Sequence, residues 1–355
     1  MVKIGNIELP DFPFLLAPME DVSDPPFRRL CKLHGADLMY SEFISSEGLI
    51  RDAMKSRKKL DIFDYERPVG IQIFGGDEEA MSLSAKIVET VNPDIVDINF
   101  GCPVKKVVSK GAGAGVLKDV DLMVRLTKAV VNSTHLPVTV KTRLGWDVDT
   151  INIEEVALRL QDAGIKALTI HARTRSQMYK GEADWEYISK IKQNPNIEIP
   201  IFGNGDIDSP EKALEYRQKY ACDGMMIGRA AIGYPWIFNE IKHFFETGEK
   251  LPEPTISDRL LAVKQHAEWS AEWKGERLGL IEMRQHYSNY FRGISHFKEF
   301  KTKFLQVLSL EEFYQLLEET EEFYKNRSLY IPQTNGNLLY ERAHNQRYAG
   351  NDSLI

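Results

Sequence analysis

The residues of this chain that can do chemistry fall just after short apolar runs. Cys102 stands between Gly101 and Pro103, in a turn directly after Ile95-Val96-Asp97-Ile98. A thiol with an ordinary pKa of ~8.5 is mostly protonated at neutral pH, so it can serve as a general acid as well as a latent nucleophile. No His or Asp beside it completes a Cys–His hydrolase pair, which favours the acid. Cys31 and Cys222, by contrast, suit the common role of a small buried hydrophobe. Lys141 follows Val138-Thr139-Val140, and His171 follows Ala167-Leu168-Thr169-Ile170. A lysine aimed into an interior is costly without an anionic partner. The turns Gly203-Asn204-Gly205-Asp206 and Gly228-Arg229 let backbone N–H groups approach a phosphate, with Arg229 as a charged donor. Gln72, inside an otherwise apolar run, suits the polar edge of a planar ring. A flavin would meet these demands together, because its reduced ring is anionic where a lysine tunes it. The eight histidines show no ligand spacing, so no metal site is expected.

These residues need a scaffold that brings many strand ends to one place. Eight apolar runs recur, at 14–17, 38–40, 69–73, 95–98, 138–140, 167–170, 200–202 and 224–227. Amphipathic stretches lie between them, among them Glu79 to Val91, Val120 to Val131, Ile153 to Ala163 and Pro210 to Tyr220. Runs without strict alternation suit strands buried on both faces of a parallel sheet. Eight of them interleaved with helices predict an α/β fold, a (β/α)8 TIM barrel, whose chemistry sits at the carboxyl ends of the strands. An open doubly wound sheet is the alternative, but no Gly-x-Gly-x-x-Gly follows the first run. After Ile232 helical periodicity takes over. The linker Lys250-Leu251-Pro252-Glu253-Pro254-Thr255, with Ser257 or Asp258 as N-cap, marks a boundary. The expected organisation is a catalytic barrel over 1–245, a helical domain over 255–325 and a polar, poorly ordered tail over 326–355.

The chain has 355 residues, 43% of them hydrophobic, with 45 Lys+Arg against 52 Asp+Glu and a net charge of −7. That composition argues against disorder. No run approaches the ~18 apolar residues of a membrane span. Three scattered cysteines exclude a disulfide framework and any CxxC motif, and with no signal-like N-terminus they point to the cytoplasm. Net charge alone would count against a nucleic-acid partner. Charge placement says otherwise. Residues 51–59 carry +4, residues 105–118 carry +4 and residues 173–180 carry +3, all at or beyond predicted strand ends. Residues 274–303 hold seven Lys/Arg against three Glu, with Tyr287, Tyr290 and Phe291 among them. Such a pattern suits gripping phosphates and stacking on bases.

The motifs run in a recognisable order. They include Ala17-Pro18-Met19, Asp24-Pro25-Pro26-Phe27-Arg28, Asp97-Ile98-Asn99-Phe100-Gly101-Cys102-Pro103 and Lys105-Lys106-Val107. Gly145-Trp146, His171-Ala172-Arg173-Thr174-Arg175, Asn204-Gly205-Asp206 and Met226 to Ala231 follow. From about residue 4 to residue 325 the sequence resembles the flavin-dependent tRNA-dihydrouridine synthases, most of all their bacterial B-type subfamily. The resemblance implies that reduced FMN delivers hydride to C6 of a uridine in tRNA, that Cys102 protonates C5, and that NADPH reduces the flavin. It implies FMN contacts at Pro18, Met19, Glu20, Gln72, Lys141, His171, Asn204, Gly205, Asp206, Gly228 and Arg229. It also places Asn99 and Arg173 near the target uracil and gives the helical domain the grip on tRNA. Glu20-Asp21 departs from the small pair common after Pro-Met and puts a negative charge close to the expected flavin. Reduction of a free pyrimidine, a non-enzymatic RNA-binding barrel, and a Schiff-base lyase using Lys141 are the alternatives. The first two leave either the helical domain or Cys102 without a role, and the third leaves the Gly-Cys-Pro turn without one.

Overall fold

The computed structural model describes residues 1–326; the expected tail lies, apart from Asn326, outside the described residues. Strands β1 (Val2–Ile4) and β2 (Ile7–Leu9) form an antiparallel hairpin. Then come β3 (Phe14–Leu16), β4 (Met39–Tyr40), β5 (Ile44–Ser45), β6 (Val69–Phe74), β7 (Ile95–Asn99), β8 (Val138–Arg143), β9 (Ala167–His171), β10 (Ile201–Asn204) and β11 (Gly224–Ile227). Eight of these run parallel in the order β3-β11-β10-β9-β8-β7-β6-β4, with β5 pairing β6 beyond β4. The seam between β3 and β4 closes through a parallel bridge, Leu15 to Leu38. Leu16 N donates to Leu38 O at 2.9 Å, and Asp37 N donates to Phe14 O at 2.8 Å. The fold is therefore the expected TIM barrel, with all eight runs as its strands.

The helices begin where the sequence supplies caps. Asp77, Asp119 and Ser209 accept hydrogen bonds from the first turns of helices Glu78–Glu89, Val120–Val131 and Pro210–Tyr220, satisfying amides the helix leaves free. Asp24 does the same for Pro25–Leu33, where two prolines occupy the first helical positions. The barrel's lower interior is apolar. Leu15, Leu38, Tyr40, Ile95, Ala167, Phe202 and Met226 pack there with Ile4 and Leu9 of the hairpin. The hairpin was not expected, because three-residue strands carry too little periodicity to register.

Gly203 on β10 shows how closely the barrel and its helices are fitted. A Cβ there would lie 1.9 Å from Cζ3 of Trp185, a fully buried side chain whose Nε1–H donates to Gly205 O at 3.0 Å. Gly203→Ala is expected to cost about 1–3 kcal/mol by overpacking, seen as a lowered urea midpoint with unchanged slope. An unchanged midpoint would mean Trp185 has room to shift.

The chain divides into two compact units. One comprises Met1–Ala231 and Ile237–Lys250, the other Ile232–Trp236 and the residues from Leu251 onward. The second unit contains helices Ile256–Lys274, Glu276–Glu282, Arg284–Tyr290, Lys298–Phe304 and Leu310–Lys325. Its core is aromatic: Tyr287, Tyr290, Phe291, Phe297, Phe300, Phe304, Phe313 and Tyr324 are buried, with the Phe291 and Phe297 rings stacked at 3.8 Å. Buried Arg259 ties this unit together by donating to the carbonyls of Pro254, Tyr290 and Arg292. The first helix is capped by Thr255 rather than by Ser257 or Asp258. Asp258 is the reciprocal partner, its carboxylate accepting from Thr255 N while Thr255 Oγ1 accepts from Asp258 N.

Tyr287, Tyr290 and Phe291 are therefore not a stacking surface. Their three- and four-residue spacing is that of a helix face turned to its own core. The positive charge of the unit is also partly matched internally, Lys274 by Glu282 and Lys303 by Glu319. Arg277, Arg292 and Lys298 remain exposed.

Candidate active site

The carboxyl ends of the barrel strands gather the predicted residues in two tiers. Parallel register places Gln72 beside Asp97 and Asp97 beside Thr139, then Asn99 beside Lys141 one step higher. Alternation along each strand aims these side chains to the same side of the sheet.

Cys102 ends the second tier. It is 7% exposed, and its backbone N–H and that of Gly101 both donate to Asn99 Oδ1, at 2.8 and 2.9 Å. Gly113, at φ +56°, lets the following segment pass close: a Cβ there would lie 3.0 Å from Cys102 O and 2.8 Å from Val107 Cγ1. Burial pushes the thiol pKa up. A hydrogen bond from Val104 N–H and the cations Arg143 and Lys141 work against that rise, while Glu20 adds to it. The thiol is thus held protonated at neutral pH, which is what an acid requires.

Lys141 is the site's unmatched cation. Among the described residues no hydrogen bond or ion pair reaches its ammonium. Burial, together with Arg143, lowers its pKa to about 8, with Asp97 and Cys102 acting in the opposite direction. Asp97 itself is lifted to about 6 by burial, against the pull of Thr139, Gln72 and Lys141. Arg143 was not among the expected site residues. It is 2% exposed and donates to the carbonyls of Gly101 at 2.7 Å, Thr174 at 3.0 Å and Met178 at 2.8 Å, clamping the cysteine turn from the far side. Its position two residues after Lys141, on the same face of β8, was the available signal.

His171 lies among four cations. Burial and then Arg143, Lys141, Arg173 and Arg229 drive its pKa well below the ordinary value of 6.5, so the ring is neutral. The imidazole should accordingly not titrate across about pH 6–7; an inflection of the His171 ring signals near the unperturbed histidine value in an NMR titration would contradict this. Arg173 donates to the carbonyls of Lys180 and Gly181 and to Asp206 Oδ2, the last two at 2.6 Å. Asp206, at φ +58°, also accepts from Ala183 N at 2.8 Å and from Arg229 at 3.3 Å. Burial works to raise its pKa, but the Arg173 bond, the Ala183 N–H and the Arg173 charge lower it overall. Asn204 Nδ2 donates to Met226 O at 2.8 Å, joining the two glycine turns. A Cβ on Gly205, at φ +124°, would meet Ala183 Cβ at 2.9 Å and the His171 ring at 3.2 Å. At Gly228 it would meet Ala17 and Met19 at 3.4 and 3.6 Å.

The structure thus brings Met19, Lys141, His171, Arg173, Asp206, Gly205, Gly228 and Arg229 into one neighbourhood. Gln72 and Asn99 lie beneath Cys102, with Asn99 Nδ2 donating to Gln72 Oε1 at 2.8 Å. Asn99 and Arg173 hold backbone in place rather than standing free at the mouth. Glu20 is exposed and paired with Lys59, which also reaches Glu42 at 3.5 Å. Glu20, Asp21 and Glu42 form a carboxylate group compact enough for a cation, and the Lys59 ammonium already supplies the counter-charge. Trp146 is flanked by Lys118 and Arg175, 3.9 and 4.6 Å from its ring centroid. Among the described residues, the carboxylates of Asp97 and Asp206 stand against Lys141, Arg143, Arg173 and Arg229, so the donor set is cationic in excess and fits an anionic group with a polar, planar edge.

Known proteins show which family and fold this chain resembles. Residues 15–327 match the family model described as "Dihydrouridine synthase (Dus)". A probable tRNA-dihydrouridine synthase of Rickettsia conorii is 40% identical over 302 residues, covering 85% of this chain and 90% of the relative. tRNA-dihydrouridine synthase B of Pseudomonas aeruginosa is 40% identical over 304 residues, covering 86% and 91%. That of Vibrio vulnificus is 39% identical over 321, covering 88% and 98%. Among solved structures, a 2-naphthoyl-CoA reductase in complex with 2-naphthoyl-CoA superposes with TM-score 0.54 at 13% identity, over 68% of this chain and 51% of that one. Histamine dehydrogenase from Rhizobium sp. 4-9 gives 0.52 at 10% identity, over 75% and 50%. The chain spans about half the length of each, and at such identity the likeness is one of fold. By the match across nearly all its described length and by its B-type relatives, the chain belongs to the dihydrouridine synthase family.

Proposed function

We propose that this chain reduces particular uridines of tRNA to 5,6-dihydrouridine with a bound FMN and NADPH as reductant. The observation that carries the reading is a thiol raised in pKa by burial, Cys102, fixed in a turn beside Lys141, a half-buried cation that no ion pair among the described residues neutralises. When bound, the flavin supplies the hydride that saturates C6 of the uracil ring, NADPH restoring it between turnovers.

Lys141 would meet the electron-rich edge of the ring and His171 its polar atoms, while Gln72, wholly buried between Asn99 and Asp97, is held beneath the cysteine turn rather than offered to the ring as the sequence suggested. Pro18, Met19 and Glu20 would line it from the end of β3, Glu20 through its backbone because its carboxylate is paired with Lys59. Asn204, Gly205 and Asp206 with Gly228 and Arg229 would hold the phosphate end. Cys102 gives its Sγ proton to C5, and the thiolate left behind regains a proton from solvent before the next turnover. Asn99, through the cysteine turn, and Arg173, through Asp206 and the Lys180–Gly181 carbonyls, keep the donor and the pocket wall in register around the base. A base within folded RNA must be turned out of its stack to reach that depth. Exposed Lys55, Lys105, Lys106 and Lys110 of the barrel unit suit RNA phosphates, and within the helical unit exposed Arg277, Arg292 and Lys298 do as well. Cys31, Cys102 and Cys222, all free thiols, and the absence among the described residues of any helix long and apolar enough to cross a membrane fit a cytoplasmic enzyme.

The purified chain should release a flavin on denaturation that chromatography identifies as FMN. With NADPH it should convert unmodified tRNA while leaving free uridine untouched. A colourless protein, or equal turnover of free uridine, would overturn the reading.

A further inference from the structure

The direction of one buried hydrogen-bond chain is forced from its end. Gly101 N–H and Cys102 N–H can only donate, so the atom of Asn99 that faces them is its carbonyl oxygen. Nδ2 of Asn99 then faces Gln72 and donates to Oε1 at 2.8 Å. That turns Gln72 so that Nε2 points to Asp97 Oδ2, 2.5 Å away. The other carboxylate oxygen accepts from the Thr139 hydroxyl. Gln72, Asp97, Asn99 and Thr139 are between 0% and 6% exposed, so solvent cannot stand in for a missing partner. Parallel register sets Gln72, Asp97 and Thr139 side by side on β6, β7 and β8.

We infer that Asp97 is a positioning residue for the proton donor: as the acceptor that ends the chain, it fixes the one amide orientation in which Asn99 can hold the Cys102 turn. A side chain at 97 that cannot accept leaves Gln72 Nε2 unsatisfied in the barrel interior. Flipping Gln72 relieves that, but it sets Nε2 against Nδ2 of Asn99, and flipping Asn99 in turn sets a donor against the two turn N–H groups. The conflict can be moved along the chain but not removed. The inference rests on Cys102 acting as the proton donor; the anchoring of its turn does not.

The test uses the full chain with FMN bound and compares Asp97→Leu with Asp97→Asn. Asparagine keeps an oxygen toward Gln72 and turns its amide to the Thr139 hydroxyl, which accepts as well as donates. Iodoacetamide labelling of each cysteine is followed by peptide mass spectrometry, alongside kcat and KM for unmodified tRNA. In Asp97→Leu, labelling of Cys102 should accelerate by roughly 5- to 20-fold with Cys31 and Cys222 unchanged, the scale expected when one buried hydrogen-bonded anchor is lost. The same variant should lose about 10- to 100-fold in kcat with little change in KM. Asp97→Asn should recover most of both. If Asp97→Leu fails to fold, Gln72→Leu cuts the same chain one link along and must give the same Cys102-selective labelling. Wild-type labelling of Cys102, equal acceleration at all three cysteines, or an Asp97→Asn variant no better than Asp97→Leu would each overturn the inference. A wild-type protein that converts no uridine would sink the functional reading instead, and the labelling comparison would still decide the anchoring.

Discussion

Replacing Cys102 with alanine is expected to leave the chain folded and its flavin bound while dihydrouridine formation falls by about 10²- to 10⁴-fold, the usual contribution of a positioned proton donor. The turn survives because Asn99 holds it through backbone N–H groups, which alanine keeps. Cys102 is almost wholly buried, so water cannot easily take over as donor. Cys102→Ser should recover little, since a hydroxyl is a far weaker acid than a thiol. The pH dependence has a definite sign. An acid must carry its proton, and burial raises this thiol above its ordinary value, so its deprotonation should cost activity only on the alkaline side of that value. Single-turnover measurement of dihydrouridine in tRNA checks both expectations. A Cys102→Ala variant working at the wild-type rate would show that the proton at C5 comes from elsewhere.

Arg28→Ala is expected to destabilise the barrel by about 3–5 kcal/mol, the cost of leaving one member of a buried ion pair uncompensated. Arg28 is 1% and Glu66 0% exposed. The guanidinium grips both oxygens of Glu66, with the Nη2–Oε1 bond at 3.0 Å, and donates to Ser23 O at 2.9 Å and Asp61 O at 2.8 Å. Its loss strands a carboxylate and two carbonyls at once. The effect also reaches the site: Ser23 Oγ accepts from Met19 N at 2.8 Å, so the segment from Pro18 to Glu20 is braced through Ser23. Weaker flavin retention should therefore accompany the lower stability. Urea unfolding of the flavin-free protein isolates the first effect, and a loss below 1 kcal/mol would mean that water enters to solvate Glu66. Arg28→Met with Glu66→Leu should regain much of the loss, because an apolar pair of similar volume removes the stranded charge.

The barrel was legible because buried parallel strands leave continuous apolar runs and their helices begin on Asp or Ser caps. The polar residues that interrupt or end those runs, such as Gln72, Lys141 and Asp206, stood out for the same reason. What escaped were relations between distant positions. Nothing local to Arg28 announces Glu66, and Arg143 next to Lys141 and Thr142 reads as one more charged strand end. The helical unit misled in a specific way. Its aromatics interleave with basic residues, and that pattern fits either a stacking surface or a core-facing stripe flanked by solvated charges. Burial of Tyr287, Tyr290 and Phe291 decides for the stripe. Asp97 was visible as a carboxylate in an apolar strand, but its role depends on the order of donors and acceptors across three strands, which only the register supplies.

Reduction of uridine in tRNA is tested most directly by the product itself. Unmodified tRNA transcript incubated with the purified chain, FMN and NADPH should contain nucleosides heavier than uridine by two hydrogen atoms, at discrete positions, and the Cys102→Ala protein should yield almost none. NADPH consumed without any change in the tRNA would rule out tRNA as the substrate, and the same product from Cys102→Ala at full rate would rule out Cys102 as the proton donor.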